Sequence, residues 1–173
     1  PLATGADARI AGPGEVTPLP AGVAGAVRKV AGVRAVTAVR IERTAELTSG
    51  GAGAKEGLTL IGVEPASYAR LARQTGLGAF PAEVLKPKGA QGAGTGRVLN
   101  AVASPGLAER LGRAPRRITS LAGDITVRIA AVRSRTPAAP GADFLLVDAA
   151  GLTHSDPTAL LATGAALDAP ALR

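Results

Sequence analysis

The chain has 173 residues and carries 20 basic and 13 acidic side chains, which give a formal net charge of +7. This length suits one medium domain or two small subdomains that share a core. Cysteine is absent and histidine occurs once, as His154, so disulfides, thiolate nucleophiles and multi-histidine metal sites are excluded. Aromatic residues are 2% of the chain, and we therefore expect a core built from Val, Leu, Ile and Ala.

The sequence gives no sign of a membrane-spanning or targeting segment. Every apolar run is interrupted by a charge, a proline or a turn before it reaches the roughly 18 residues that a membrane span needs. The chain begins at Pro1, without a methionine or a signal peptide, and we expect it to be part of a longer protein.

The first third of the chain predicts a β-α-β unit. Residues 3–10 are predicted as a strand and residues 21–31 as a helix, because the valines of the second segment recur at helical spacing. Residues 33–41 follow as a strand with alternating apolar and polar positions. This alternation places Arg34, Arg40 and Glu42 on the face opposite to the apolar residues.

The middle of the chain mixes strands, short helices and glycine-rich loops. Apolar runs bounded by turn residues predict strands at 58–63, 98–103, 125–129, 143–148 and 158–164. Pro65 opens a predicted helix that ends near Gly76, and residues 79–85 predict a helical turn. Ser104 is predicted to cap a second helix, which Gly112 closes. Without strict βαβ repetition, the pattern indicates an α+β fold.

The C-terminal residues predict one more helix, which Asp168 would cap and which has only reached Arg173. A helix of this length leaves few residues to bury an apolar face. We therefore expect this tail to be frayed unless it docks on another element.

The positive charge does not indicate a nucleic-acid partner, and we expect none. Most of the basic residues are arginines, and they are spread along the chain; the densest patch is Arg110, Arg113, Arg116 and Arg117. Three aromatic residues are too few for a platform on which bases could stack. We interpret the charge as a solvated, arginine-rich surface.

The segment GAQGAGTGR, residues 89–97, is the one glycine loop that suggests phosphate binding. A P-loop needs Lys and then Ser or Thr after its second glycine, but Thr95 and Gly96 occupy those positions. The dinucleotide fingerprint fails as well, because Arg97 stands where the third glycine is required. We interpret the segment as a flexible loop between strands.

Two serine-containing motifs suggest nucleophilic catalysis, and both are incomplete. Ser104 lies in VASPG, where Val102 replaces the first glycine of a nucleophile elbow, and helix capping accounts for the serine. His154, Ser155 and Asp156 are adjacent in sequence, whereas the members of a triad normally come from separate elements. We assign no catalytic, cofactor-binding or metal-binding residue, and we expect a protein that is not an enzyme.

Four stretches, taken in order, resemble the extracytoplasmic domain of FtsX-like ABC transporter permeases, the MacB-like periplasmic core domain. These are VRKVAGVRAVTAVR (27–40), LTLIGVEPASYARLARQTG (58–76), VASPGLAERLGRAPRRITSLAGDITVRIAAV (102–132), and FLLVDAAGL (144–152) with PTALLATGAALDAPALR (157–173). None of them is a catalytic signature. The order and spacing of the four carry the resemblance.

The resemblance implies a β-α-β (Porter-like) subdomain with an inserted small mixed α/β (Sabre-like) subdomain. It implies that residues 1–47 form the first half of the Porter-like subdomain and residues 48–156 the insert with its linkers. Residues 157–173 would start a second, truncated β-α-β half. We therefore expect a parallel β-α-β sheet that contains both 33–43 and 158–164.

The function implied by the resemblance is that of a non-catalytic domain on the extracytoplasmic side of the cell membrane. Such a domain transmits conformational change driven by an ATPase and contacts cargo or partner proteins, without a cofactor. The implied partners are a cytoplasmic ABC ATPase, reached through membrane helices outside this chain, a second permease copy or ectodomain, and a lipid, peptide or protein cargo. This fragment itself is expected to be soluble.

Two alternatives come from other classes of protein. The first is a small soluble α/β phosphate- or nucleotide-binding enzyme that uses the glycine loop 89–97. The second is a module that adheres to anionic membrane surfaces through its net positive charge.

Overall fold

The computed structural model describes an eight-stranded mixed sheet with short helices on its faces. The described residues are 7–14, 17–48, 55–77, 79–86, 97–139 and 143–164. The strands are β1 Ala8–Ala11, β2 Val33–Thr48, β3 Lys55–Val63, β4 Val98–Ala103, β5 Arg116–Thr119, β6 Ile125–Val132, β7 Phe144–Asp148 and β8 Ala159–Gly164. The helices are α1 Val23–Arg28, α2 Pro65–Gln74, α3 Ala82–Leu85 and α4 Pro105–Leu111, with a 3-10 turn at Ala149–Gly151.

Most of the sheet closes on itself as a small barrel. The strand order is β1-β8-β2-β3-β7-β4-β6-β5, and β5 also pairs with β2 through Glu46–Thr119 and Leu47–Ile118. This last pairing joins β2, β3, β7, β4, β6 and β5 into a ring of six strands. We call this ring the barrel. In a barrel of this size, side chains rather than a channel fill the interior.

The remaining strands form an open layer beside the barrel. We define the open layer as β1, β8 and the first part of β2, residues 33–39. β2 therefore belongs to both regions: Val33–Val39 pair with β8, whereas Val39–Thr48 pair with β3. Its pairing with β3 is irregular between Glu42 and Ala45, where an extra residue bends the strand.

The open layer confirms that residues 33–43 and 158–164 lie in one sheet, but the orientation of β8 differs from our expectation. β1 and β2 both run antiparallel to β8, and they are therefore parallel to each other. The sheet here is antiparallel rather than parallel, because a β-α-β unit can leave room for a third strand between its two strands.

Three clusters of buried side chains form the core. The barrel interior is filled by residues such as Leu58, Leu60, Leu145 and Val147, and α4 adds Leu107 and Leu111. Successive strand residues point to opposite faces, so the neighbouring Ile61 and Leu146 pack outside the barrel, under α2 and α3. The third cluster lies under α1 and contains Val27, Val36, Leu160 and Ala162.

The sequence predicted most of these elements, and the exceptions have local causes. β4 has the predicted bounds, and α4 ends at Gly112, whose φ of 68° suits a glycine. β5 was not predicted, because the stretch RRIT is four residues long and half arginine. The predicted C-terminal helix, residues 165–173, lies outside the described residues. No helix in the described ranges combines the length and apolarity needed to cross a membrane.

Candidate functional site

The glycine loop is not placed by the structure. Residues 89–96 lie outside the described ranges, and Arg97 is the one residue of the motif that falls within them. Arg97 lines a hollow of about 260 Å³ together with Leu85, Asn100 and Asp148. One arginine beside one carboxylate does not form a phosphate cradle, which needs converging backbone N–H groups.

Ser104 precedes α4 as predicted, but its hydroxyl does not cap the helix. The Ser104 Oγ donates to Asp143 Oδ1 at 2.7 Å and accepts from the Phe144 N–H at 3.3 Å. The predicted capping bond is therefore wrong, because a hydrogen bond to a carboxylate is stronger than one to a neutral backbone group. His154 is exposed, and its backbone N–H donates to the Ala122 carbonyl at 3.0 Å. The structure thus gives Ser104 an acidic partner and no imidazole base.

Two of the four arginines in the patch at 110–117 pair with carboxylates of this chain. Arg110 Nη2 lies 2.8 Å from Asp143 Oδ2, and Arg110 Nη1 lies 3.5 Å from Glu56 Oε2. Arg117 pairs with Asp124 at 2.8 Å. These exposed pairs agree with a solvated surface, on which each ion pair contributes little stability.

Arg40 and Glu42 share a face of β2, and both are buried, with 6% and 1% of their surface exposed. Loops from two distant parts of the chain cover this face of β2. Glu42 Oε1 accepts from the Leu121 N–H at 2.8 Å, and Arg40 Nη1 donates to the Asp156 carbonyl at 3.1 Å. Glu42 Oε2 and Arg40 Nε have no hydrogen-bond partner among the described residues.

A groove of about 560 Å³ runs along β2 in the open layer, and we call it the β2 groove. It is lined by residues of the last turn of α1, the first part of β2 and the start and outer side of α2, namely Arg28, Arg34, Ala35, Val36, Thr37, Ala38, Glu64, Ser67, Arg70 and Gln74. It is the strongest candidate site in the described part of the chain, because charged side chains meet an open strand edge there.

The β2 groove exists because β3 leaves β2 early. Val63 is the last residue of β3 to pair with β2, opposite Val39, and the next residue starts a helix. Glu64 caps α2 by accepting hydrogen bonds from the Ala66 N–H at 3.0 Å and the Ser67 N–H at 2.7 Å. Hydrogen bonding to the Ser67 side chain and to these N–H groups, and the nearby charge of Arg70, lower the pKa of Glu64, which stays ionised near neutral pH.

α2 is fastened to the open layer at both ends. Near its start, Thr37 Oγ1 donates to the Ser67 carbonyl at 3.3 Å. At its last residue, Gln74 Oε1 accepts from Thr163 Oγ1 at 2.9 Å. Thr37 and Thr163 lie on β2 and β8, so these bonds fix the helix as one wall of the groove.

The floor of the β2 groove is a strand edge that no described strand pairs with. The Val39 carbonyl accepts from the Thr158 N–H, on the β8 side of β2, at 3.0 Å. Backbone groups of successive strand residues point to opposite sides. Val36 and Ala38 therefore direct their N–H and C=O groups away from β8, into the groove.

The β2 groove carries a positive charge. Arg28, Arg34 and Arg70 are exposed, and none of them forms a hydrogen bond or ion pair with another described residue. Glu64 is the one acidic side chain in the lining, and its carboxylate is engaged by the helix start. An anionic group is therefore the natural counterpart of this groove.

Comparison with known proteins finds similarity at the level of solved structures. One is a domain described as that of a permease protein from Porphyromonas gingivalis, with 17% identity, a TM-score of 0.49, and coverage of 90% of this chain and 67% of that chain. Another is the extracellular domain of the noncanonic ABC-type transporter YknZ from Gram-positive bacteria, with 12% identity, a TM-score of 0.48, and coverage of 87% and 75%. Both come from permeases or transporters. No protein-family model and no curated protein matches the sequence.

The sequence did not reveal the β2 groove, although one signal was present. Ser67, Arg70 and Gln74 lie at i, i+3 and i+7 of α2, so they form a polar stripe along one side of the helix. The stripe alone predicts an exposed face. The unpaired edge of β2 depends on where β3 ends, which the sequence did not show. In the described residues, no group of three or more His, Cys, Asp or Glu side chains could hold a metal ion.

Proposed function

We propose that this chain is the non-catalytic extracytoplasmic domain of an FtsX-like ABC transporter permease. In this proposal the domain lies outside the cell membrane, transmits the movement that a cytoplasmic ATPase drives, and contacts cargo or partner proteins. A second permease copy or a second ectodomain would complete the assembly. The ATPase would act on this domain through membrane helices that are not part of this sequence.

The observation that carries this proposal is the pairing of β2 with β8. The resemblance requires the chain to leave the open layer after β2, form an inserted unit, and return beside β2. Thr158, just before β8, accepts from the Ile41 N–H at 2.9 Å and donates to the Ile41 carbonyl at 3.4 Å, so the chain returns next to its point of departure. The four stretches of sequence that carry the resemblance and the return of the chain beside β2 are both consistent with the domain architecture that the resemblance implies.

We also propose the division into a Porter-like subdomain, residues 1–47 and 157–173, and a Sabre-like insert, residues 48–156. The barrel supports this division because five of its six strands, β3 to β7, come from within the insert. β2 supplies the sixth strand and so joins the two subdomains. The buried pair Arg40 and Glu42 lies on β2, near this junction.

The location is tested by cysteine labelling of the full-length protein in intact cells. The described part of the chain has no cysteine, so Leu121→Cys, at an exposed position, introduces a unique target within it. We expect a membrane-impermeant maleimide to label this variant without lysis. Leu145→Cys, at a fully buried position, is the matched control and should react only after denaturation. Labelling of Leu121→Cys only after lysis would contradict an extracytoplasmic location.

Transmission is tested by hydrogen exchange on the permease reconstituted with its ATPase. A hydrolysis-deficient ATPase holds the complex in its ATP-bound state. We expect exchange in the open layer, residues 33–39 and 159–164, to differ between the nucleotide-free and ATP-bound complexes. Identical exchange in the two states throughout the domain would contradict the proposal.

A further inference from the structure

We propose that the β2 groove binds an extended, acidic segment of a partner protein, which adds to the open layer as a further strand. This inference rests on the proposed function for the placement of that partner outside the membrane. It also names what the domain contacts, which the proposed function leaves open.

The first argument is the strand edge itself. Val36 and Ala38 direct two N–H and two C=O groups into the groove, and these groups bind another extended backbone in the same way that β2 binds β8. The pairing with β8 is regular from Ala35 to Val39, so this stretch of β2 has the even pleat that strand addition needs. A peptide backbone supplies the complementary donors and acceptors at strand spacing, and a lipid headgroup does not.

The second argument is the shape of the groove. A helix that lies beside an unpaired strand edge forms a slot for one extended chain, and main-chain hydrogen bonds give such a slot much of its affinity. Here α2 forms the wall, and two hydrogen bonds hold it in place, from Thr37 Oγ1 to the Ser67 carbonyl and from Thr163 Oγ1 to Gln74 Oε1. A wall that is already ordered reduces the entropy lost when a peptide binds.

The third argument is the charge on both sides of the slot. Arg70 projects from α2 on one side, whereas Arg28 and Arg34 come from α1 and β2. Successive side chains of an added strand point to opposite faces of the sheet. Acidic side chains on one face would therefore meet Arg70, and those on the other face would meet Arg28 and Arg34. Charge-assisted hydrogen bonds from guanidinium to carboxylate are among the strong ones in proteins. The chemistry therefore selects a peptide with repeated Asp or Glu.

The contrast with the arginine patch at 110–117 supports this selection. That patch has a higher density of arginine along the sequence, yet Arg110 and Arg117 already pair with carboxylates of this chain. In the β2 groove, Arg28 and Arg34 have no carboxylate partner among the described residues, and Arg70 lies near Glu64 without an ion pair to it. Arginines without an ion pair, beside backbone groups that no described strand pairs with, indicate a surface that a partner completes.

The test measures binding of the 173-residue chain to a fluorescein-labelled ten-residue peptide of alternating Glu and Val, by fluorescence anisotropy. We expect saturable binding that weakens as salt rises. The same peptide with alternate backbone amides N-methylated keeps its charge but cannot form a strand ladder, and we expect it not to bind. A Lys-Val peptide of equal length is the charge control and should not bind either.

Two sets of variants locate the peptide. Arg28→Gln, Arg34→Gln and Arg70→Gln combined should weaken binding by about tenfold or more, because in either register the Glu side chains of the peptide lose the arginines on the face that they occupy. The matched control combines Arg73→Gln, Arg113→Gln and Arg135→Gln, which removes equal charge from exposed positions outside the groove lining and should leave affinity within about twofold.

Ala38→Pro removes the N–H that points into the groove and leaves the bonds to β8, so it should weaken binding without loss of the sheet signal in circular dichroism. If Ala38→Pro unfolds the chain, the N-methylated peptide alone reports on strand pairing. Equal binding of the methylated peptide, or unchanged affinity of the groove triple variant, would overturn the proposal. Binding to phosphatidylglycerol vesicles that displaces the peptide would assign the groove to a membrane surface and also overturn it.

This experiment and the labelling experiment fail independently. Loss of peptide binding leaves the location and the coupling to an ATPase untouched. Labelling of Leu121→Cys only after lysis would remove the permease interpretation and leave a peptide-binding groove.

Discussion

The barrel and the open layer differ in how their strand edges are paired. Both edges of each barrel strand are occupied over part of its length, because β5 pairs with β2 and closes the ring. In the open layer, the first part of β2 pairs with β8 on one side and with no described strand on the other. The barrel is thus complete without a partner, whereas the layer presents a ready template for another strand.

This difference indicates a division of labour within one sheet. The barrel encloses a core of aliphatic side chains, and the buried charged residues Arg40 and Glu42 lie on β2 near the point where it enters the open layer. The open layer carries the groove, with exposed arginines and a stretch of β2 that no described strand pairs with on that side. If the closed barrel and the open layer also differ in stability, mutations in the two regions should have unequal effects.

The largest effect is expected from cavities in the two cores. Leu60→Ala in the barrel and Leu160→Ala in the open layer remove the same atoms from side chains that are 2% and 1% exposed. Each should lower the free energy of unfolding by about 2–5 kcal/mol. Leu60 should lie at the upper end, because strands surround its site on all sides and limit relaxation. Urea denaturation measures both, and a larger loss for Leu160→Ala would break the comparison.

A pH effect is expected at Tyr68, which packs on the outer wall of the barrel. Burial, partly opposed by hydrogen bonds to Thr136 and the Ala138 N–H, raises the pKa of Tyr68 from 10.0 to about 12. The folded state therefore holds the phenol proton more tightly than the unfolded state does. Stability is fully present below pH 10 and falls by up to about 3 kcal/mol as the pH rises from 10 through 12.

Tyr68→Phe checks this dependence. The variant should be less stable than the parent chain at pH 8, because Thr136 and Ala138 lose a hydrogen-bond partner. Its stability should change much less between pH 10 and 12. Thermal unfolding at a series of pH values compares the two chains, and parallel curves would show that Tyr68 does not govern the alkaline loss.

A smaller effect is expected at the boundary between the two regions. Glu42→Ala removes the buried carboxylate that accepts from the Leu121 N–H and should cost about 1–3 kcal/mol. Glu109→Ala, at an exposed position of α4, is the control and should change stability by less than about 0.5 kcal/mol. Urea unfolding followed by two probes, one in each region, would sharpen the comparison. Separate transitions in the Glu42 variant would show that this boundary couples the regions.

The smallest effect is expected on the barrel surface. Arg117→Gln removes an ion pair with Asp124 between side chains that are 65% and 45% exposed. Exposed pairs of this kind contribute about 0–1 kcal/mol, and less as salt rises. We expect a change in melting temperature near the error of the measurement. A loss comparable with that of Glu42→Ala would mean that the arginine patch has a structural role.

Local patterns were sufficient to predict most elements. Apolar runs bounded by turn residues located β4 and β8, and Pro65 with Gly76 bounded α2. These signals act over a few residues, where propensity and capping decide the backbone. The helix start at Ser104 was also predicted, but the bond of its hydroxyl to Asp143 was not, because Asp143 lies 39 residues away in sequence.

Long-range pairings could not be predicted from the same patterns. The closure of the barrel depends on the pairing of Leu47 in β2 with Ile118 in β5. The local sequence of neither strand indicates this partner. The burial of Arg40 and Glu42 has the same origin, since alternation tells which side a residue takes but not what covers that side. The β2 groove follows from the early departure of β3, so it too required the fold.

The length of β2 has a mechanical consequence. Its 16 residues span about 50 Å of covalent backbone, from the open layer into the barrel wall. A pull on the first residues of this strand reaches the barrel through chemical bonds, without slippage across a packed interface. The irregular pairing between Glu42 and Ala45 is the point on this strand where an extra residue permits a bend between the two regions.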